Sequence, residues 1–319
     1  MTTPGRIVGI GNALVDVLVQ VDMDVIKRHA LNHGGMHLVD GLAASALYDE
    51  VGPGVMQSGG SVANTIAHLA VDGHATSFIG RVAEDSLGQA FVADLARLGV
   101  DCPSSPLSNG AGTGRCVILV TPGGERTMST FLGAAQVVAA GDAASIPDDA
   151  AMVVVEGYLF DAPEGGAALI AAAERARAIG AKVVLTPSDA GCVGRHLEAM
   201  RSFIQAPCDV LIGNEAEMIA LSGAKSAAEA LDWAAGHAET AVVTLSERGA
   251  MAAQGALRAA VPALPVEVVV DTTGAGDAFA AGFLGALARD GDIEAACHAG
   301  CAVSAKVITH LGARDHGAL

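Results

Sequence analysis

Asp271-Thr272-Thr273-Gly274-Ala275-Gly276-Asp277 is the stretch from which the rest of the chain can be read. It follows a β-branched run, Val266-Glu267-Val268-Val269-Val270, that predicts a buried strand. It precedes Ala278 to Leu284, where Phe279, Phe283, Leu284 and, just beyond, Leu287 fall on one helical face. A Gly-rich turn between strand and helix exposes backbone N–H groups at the positive end of the helix dipole, where phosphate is favoured. Asp277 then falls in the first helical turn, as a base beside a phosphoryl-transfer site would. The competing reading is an ordinary tight turn in which Asp277 only complements the dipole.

A second Gly pair, in Gln57-Ser58-Gly59-Gly60-Ser61-Val62-Ala63-Asn64-Thr65, opens another helical pattern. Ser61 is its expected N-cap and Val62, Ile66 and Leu69 its apolar stripe, with Asn64 otherwise solvated on the first turn. Strand-like runs lie at Arg6–Asn12, Thr76–Gly80, Ala151–Glu156, Lys182–Thr186, Asp209–Ile212 and Ala241–Leu245. Ala-rich amphipathic stretches such as Pro163–Ile179 and Ala227–His237 separate several of them. This alternation predicts an α/β fold, a doubly wound, mostly parallel sheet with helices on both faces. Leu14–Val21 and Arg115–Thr130 break the rhythm and read as half-exposed antiparallel strands, the latter a hairpin turning at Thr121-Pro122-Gly123-Gly124. Without a repeat, a low-complexity linker or a charge block, the whole of 1–319 is expected to form one domain.

Hydrophobic residues make up 51% of the chain but aromatics only 3%, so Ala, Val, Leu and Ile must build the core. Eighteen basic against 35 acidic residues give a net charge of −17, which argues against nucleic acid or an anionic membrane as partner. A phosphate-rich ligand must then be held by local devices such as helix N-termini and bound Mg²⁺. The N-terminus lacks a charged n-region, and no apolar run is long enough to span a bilayer. Six cysteines without Cys-x-x-Cys spacing read as free thiols, consistent with a cytoplasmic location.

Taken together, these segments resemble the ribokinase-like (PfkB-type) carbohydrate and nucleoside kinase family. Gly59-Gly60-Ser61-Val62-Ala63-Asn64 through Phe78-Ile79-Gly80 to Gly88 matches its N-terminal signature, and Asp271 to Leu284 its C-terminal one. The resemblance covers nearly the whole chain and implies a ribokinase-like fold with a small β-strand lid, here segments of approximately 14–40 and 112–132. It implies ATP as phosphoryl donor, Mg²⁺, and a small-molecule nucleoside or sugar as acceptor; a homodimer is left open. Asp277 matches the family's base, and Gly274, Ala275 and Gly276 its anion hole.

Other roles rest on the same resemblance. Asn214 and Glu217 match an Asn-x-x-Glu motif that organises Mg²⁺ through water, although they also spell a helix capping box. Thr244, Ser246 and Gly249 match a nucleotide-contacting motif in which Ser246 replaces the usual Gly. Arg126 resembles a lid arginine that swings toward the phosphates, or is simply a solvated turn residue. Asp271 and Thr273 match part of a monovalent-cation site, so K⁺ stimulation is a further implication. Asp16 matches the carboxylate that accepts from vicinal hydroxyls, with Asn12, Gly59, Gly60 and Asn64 beside the same sugar.

The run Gly9-Ile10-Gly11-Asn12-Ala13-Leu14-Val15-Asp16, followed by Met36-His37-Leu38, looks closest to adenosine-kinase-like members. Met36 and Leu38 would then face a purine, with Tyr158-Leu159-Phe160 opposite; core packing of Leu38 and Phe160 is the alternative. The expected reaction is therefore phosphorylation of the 5′-hydroxyl of adenosine. The rivals are a free sugar acceptor (ribose, fructose or a keto-deoxy sugar acid) and a catalytically silent nucleotide-binding regulator. A dinucleotide-binding dehydrogenase fits less well, since Gly9-x-Gly11 lacks the third glycine.

Overall fold

The computed structural model describes residues 5–108, 110–122 and 125–314. The chain begins with β1 (Arg6–Ile10), β2 (Leu14–Gln20), α1 (Met23–Arg28), β3 (Met36–Leu38), α2 (Gly41–Val51) and β4 (Val55–Gly59). Next come α3 (Ser61–Val71), β5 (Thr76–Ile79), α4 (Ser86–Arg97), β6 (Val100–Asp101), β7 (Gly114–Val120) and β8 (Arg126–Phe131). The alternation then becomes stricter, through β9 (Ala150–Glu156), α5 (Gly165–Ile179), β10 (Lys182–Thr186), α6 (Ala190–Gln205) and β11 (Val210–Asn214). After α7 (Glu215–Ser222), α8 (Ala227–Ala235) and β12 (Thr240–Thr244), a hairpin of β13 (Ala250–Gln254) and β14 (Leu257–Val261) precedes α9 (Ala275–Asp290) and α10 (Ile293–Val307).

The larger sheet has the order β14-β13-β12-β11-β10-β9-β1-β5-β6. Its pairs from β6 to β12 are parallel, and β13 and β14 add an antiparallel edge. Neighbouring residues of one strand go to opposite cores, which explains runs that are apolar without alternation. Val153 and Val155 pack with Val183, Leu185 and the alanines of α5 on one face. Met152 and Val154 pack with Val184, Val210 and the α9 rings Phe279 and Phe283 on the other. Strand order runs outward from β1 in both directions, through β5 on one side and β9 on the other. The carboxyl ends of β1 and β9 therefore flank the switch point, where such sheets open a ligand crevice.

A smaller five-stranded sheet, β3-β8-β7-β2-β4, stands over that crevice. Three sequence expectations change here. First, β2 is neither half-exposed nor purely antiparallel: Leu14 to Leu18 are all buried, and β2 lies between antiparallel β4 and parallel β7. Val15 and Val17 join the core beneath while Leu18 packs with Cys116 and Ile118, so both faces are covered. Second, Val55–Gly59, outside the expected lid segments, supplies one edge of this sheet. Third, Val266–Val270 forms no strand, and Val268, Val269 and Val270 are exposed. β-branched residues favour extended backbone but need a free sheet edge to become a strand. These residues pair with neither sheet, and Val270 N–H bonds Ile308 O after α10 instead. The hairpin β7–β8 is antiparallel as expected, but like β2 it is not half-exposed, since β7 is buried from Cys116 to Val120; Gly123 and Gly124 of its turn lie outside the described residues.

Candidate active site

Gly274, with φ 71°, turns the chain into α9, and a Cβ there would collide with Ala313. The turn leaves Asp277 facing two cavities, a larger one of about 210 Å³ and a smaller one of about 70 Å³. Ser61, Ser188 and Asp277 line both. Ser61 is not the N-cap of α3: Gly60, at φ 101°, precedes the helix, and the Ser61 hydroxyl donates to Asp277 Oδ1 at 2.7 Å. Asn64, far from solvated, is buried and donates from Nδ2 to Asp277 Oδ2 at 3.1 Å. Burial pushes the Asp277 carboxyl up to about 6, while Ser61 and Asn64 hold it down.

Glu156, at the end of β9 and fully buried, does what Ser61 does not. Its Oε2 accepts from Val62 N–H at the start of α3 (2.9 Å), and its Oε1 accepts from Asn12 N–H just past β1 (2.8 Å). One carboxylate thus ties both sides of the switch point to the helix that carries Ser61 and Asn64. Burial raises its pKa to about 7, against the pull of the two amides. The Glu156→Gln variant replaces one acceptor with an NH₂ facing an N–H. We expect it to lose about 1–3 kcal/mol of stability in urea denaturation, as for a buried donor left unpaired. Unchanged stability would show that the bridge is dispensable.

In the larger cavity, Asp16 of β2 is buried, and its carboxyl is pushed up to about 7 by burial, with Arg314 pulling it down and Asp277 adding to the rise. Gly59 faces it from β4, and a Cβ there would run into the Asp16 carboxylate. Gly60 lines this cavity, whereas Gly59 only makes room for it. Asn12 Oδ1 and Asn64 Oδ1 are buried acceptors with no partner, beside a carboxylate that is itself an acceptor. The site is therefore short of donors, as a hydroxyl-rich ligand would find it. Beyond lies an apolar wall of Met36, Leu38, Ile118, Met128, Leu132 and Tyr158.

Arg126 reaches from β8 to the loop before α9. It donates to Thr273 Oγ1 (2.9 Å) and Thr272 Oγ1 (2.7 Å), and its Nε lies 3.4 Å from Asp271 Oδ1. Asp271 also accepts from Thr273 N–H and Oγ1–H on one oxygen and from Gly312 N–H on the other. The smaller sheet is thereby fastened to the Gly-rich turn before α9. Oxygen-bearing side chains dominate the smaller cavity: Thr186, Asn214, Glu217 and Thr244 join the three shared residues, with Gly276 at its edge. Residues 39–317 match the pfkB family carbohydrate kinase profile.

The chain belongs to the pfkB family of carbohydrate kinases. The solved adenosine kinase of Sinorhizobium meliloti is 35% identical, with a TM-score of 0.92 over 98% of this chain and 96% of that one. A Rhizobium etli CFN 42 structure, described as a probable sugar kinase, is 33% identical with a TM-score of 0.93 over 99% and 97%. Adenosine kinase 2 of Arabidopsis thaliana is 26% identical over 97% of this chain and 95% of its own length. This pfkB family kinase is thus a phosphotransferase with an alcohol acceptor, built on the ribokinase-like fold expected from its sequence.

Other residues of the kinase fall less simply. Asn214 and Glu217 do form the capping box: Glu217 N–H bonds Asn214 Oδ1 at 2.9 Å and Asn214 N–H bonds Glu217 Oε2 at 3.0 Å. Burial pushes Glu217 up to about 7. Ser246, at φ 53°, has a left-handed backbone that glycine would adopt without strain, but neither it nor Gly249 lines the smaller cavity. Phe160 lies outside the larger cavity's lining, stacked on His196 (6.0 Å between centroids) and edge-on to Phe203, leaving that wall to Tyr158. All six cysteines are free. Cys192 meets Asp161 and His196 in a cluster of metal-type side chains, but the Arg195 guanidinium forks onto both Asp161 oxygens (3.0 and 2.7 Å). Among the described residues, no helix is long and apolar enough to cross a membrane.

Proposed function

We propose that this kinase transfers the γ-phosphoryl group of ATP to the 5′-hydroxyl of a ribonucleoside, adenosine before others. The observation that carries the reading is the Asp277 carboxylate at the junction of the two cavities. In this reading the larger cavity takes the acceptor and the smaller one the donor phosphates. The 5′-oxygen attacks the γ-phosphorus, the bond to the ADP oxygen breaks, and the hydroxyl proton passes to Asp277. Amides of Gly274, Ala275 and Gly276 would receive the phosphoryl oxygens. Asp16 would accept from the ribose diol, and the unpartnered Oδ1 atoms of Asn12 and Asn64 from hydroxyls of the same sugar.

The oxygen-rich lining of the smaller cavity suits Mg²⁺. Asn214 and Glu217 would hold that ion through water, and when bound it would neutralise donor phosphate charge. Thr244 lines the same cavity, and Ser246 and Gly249 would approach the nucleotide from beside it. Asp271 would support a monovalent-cation site through the shape of its loop, since its oxygens already accept from protein donors. Arg126 would keep the smaller sheet closed as a lid, excluding water that competes with the acceptor hydroxyl.

The apolar wall supports a nucleoside over a free sugar, because a monosaccharide leaves it uncovered. Similarity to the S. meliloti and A. thaliana adenosine kinases points the same way. Likeness to the R. etli protein keeps a sugar acceptor as the second reading. An acidic sugar would want a free cation, and Arg126 is already committed to the loop. A coupled assay over nucleosides and free sugars should give adenosine a kcat/KM at least about tenfold above any monosaccharide, the scale on which one apolar group in a pocket discriminates. Rapid phosphorylation of a free hexose with none of adenosine would overturn the choice.

A further inference from the structure

Positive φ is rare outside glycine, and three such residues occur among those described: Ala30, Ser188 and Ser246. Of these, Ser188 alone lines the two cavities that meet at Asp277, and it lines both. It sits in the turn between β10 and α6 at φ 82°, a conformation glycine would adopt without strain. Strain of this kind persists where the surroundings hold a particular side chain in place. The Ser188 Oγ accepts from Tyr158 N–H at 3.2 Å and lies 3.4 Å from Thr186 O. That second contact is long for a hydroxyl donor, whose bonds centre near about 2.7–2.8 Å. The Ser188 proton is therefore weakly engaged, at the junction where Ser61 and Asp277 are engaged with each other.

We propose that Ser188 is a catalytic residue whose hydroxyl donates a hydrogen bond to the phosphoryl group as it crosses between the two cavities. The inference rests on the donor and acceptor assignment of those cavities. Ser188 keeps its own proton throughout; only its orientation changes, from Thr186 O toward a phosphoryl oxygen. A preorganised donor aimed at charge that develops in the transition state raises kcat more than it tightens either substrate.

The test compares Ser188→Gly and Ser188→Ala, using whichever panel acceptor gives the parent protein its highest kcat/KM. Both variants should lose at least about tenfold in kcat, with KM for ATP and acceptor held within about threefold. Ser188→Gly should melt close to the parent, because glycine accepts the turn, so its lost activity reports the hydroxyl. Assays well below the melting transition keep the comparison valid for Ser188→Ala. If Ser188→Gly keeps kcat within about tenfold, or loses only acceptor KM through a displaced Tyr158, the proposal fails. A parent enzyme that prefers a free sugar would overturn the nucleoside reading while leaving the Ser188 comparison intact.

Discussion

Asp277→Asn should lower kcat by at least about a hundredfold, or about 2.7 kcal/mol of transition-state stabilisation, in line with the loss of a general base. The fold should survive the change. Ser61 can still donate to the remaining amide oxygen. Asn64 can turn its amide so that Oδ1, which has no partner in the parent, accepts from the new NH₂. ADP affinity by calorimetry should therefore stay near the parent value while turnover collapses. The pH profile adds a second readout. With its carboxyl pushed up to about 6, Asp277 is protonated below that pH and cannot accept the hydroxyl proton. Parent kcat/KM should rise with pH through that region, and the residual activity of the variant should lose this limb. Near-parental turnover in Asp277→Asn would remove the carboxylate from its proposed role.

Asp16→Ala should raise the acceptor KM by about thirtyfold or more, because hydrogen bonds to a charged acceptor contribute about 1.5–3 kcal/mol each. The change also strips a counter-charge from Arg314, a buried guanidinium held by Ser58 and facing Asp94. Some loss of stability should accompany it. Substrate truncation separates the two effects. Parent enzyme should discriminate adenosine from its 2′- and 3′-deoxy forms, and in Asp16→Ala that discrimination should shrink, as expected when both partners of one interaction are removed. If KM and the adenosine-to-deoxyadenosine ratio both stay put, the diol is anchored elsewhere.

Much of this site was legible in the chain itself. Asp277 stood out as an acid just after a Gly-rich turn before a helix, whereas Asp16 and Asn64 were assigned through the family resemblance; the fold brings all three to one cavity. The buried strands announced themselves as β-branched runs, and the Asn214–Glu217 capping box as a four-residue spelling. Misreadings arose where a local pattern had two solutions. Val266–Val270 has the composition of a strand but pairs with neither sheet, and its last N–H goes to Ile308 O beyond α10. Ser61 has the chemistry of an N-cap, yet its hydroxyl is spent on Asp277. Phe160 and Tyr158 share one short helical turn, and which ring faces the cavity depends on His196 and Phe203 across the fold. Glu156 carried only a weak signal, an acid at the end of an apolar strand.

Spacing along the chain determined most of which segments became helix, strand and Gly-rich turn, because backbone dihedrals and side-chain periodicity act over a few residues. Only the folded molecule decided who meets whom: Ser61 with Asp277 across 216 positions, and Glu156 with Asn12 across 144. Such pairs are chosen by strand order at the switch point and by the fit of α3 against α9. Both follow from burying the whole sheet at once, a global condition that a short window of sequence does not contain.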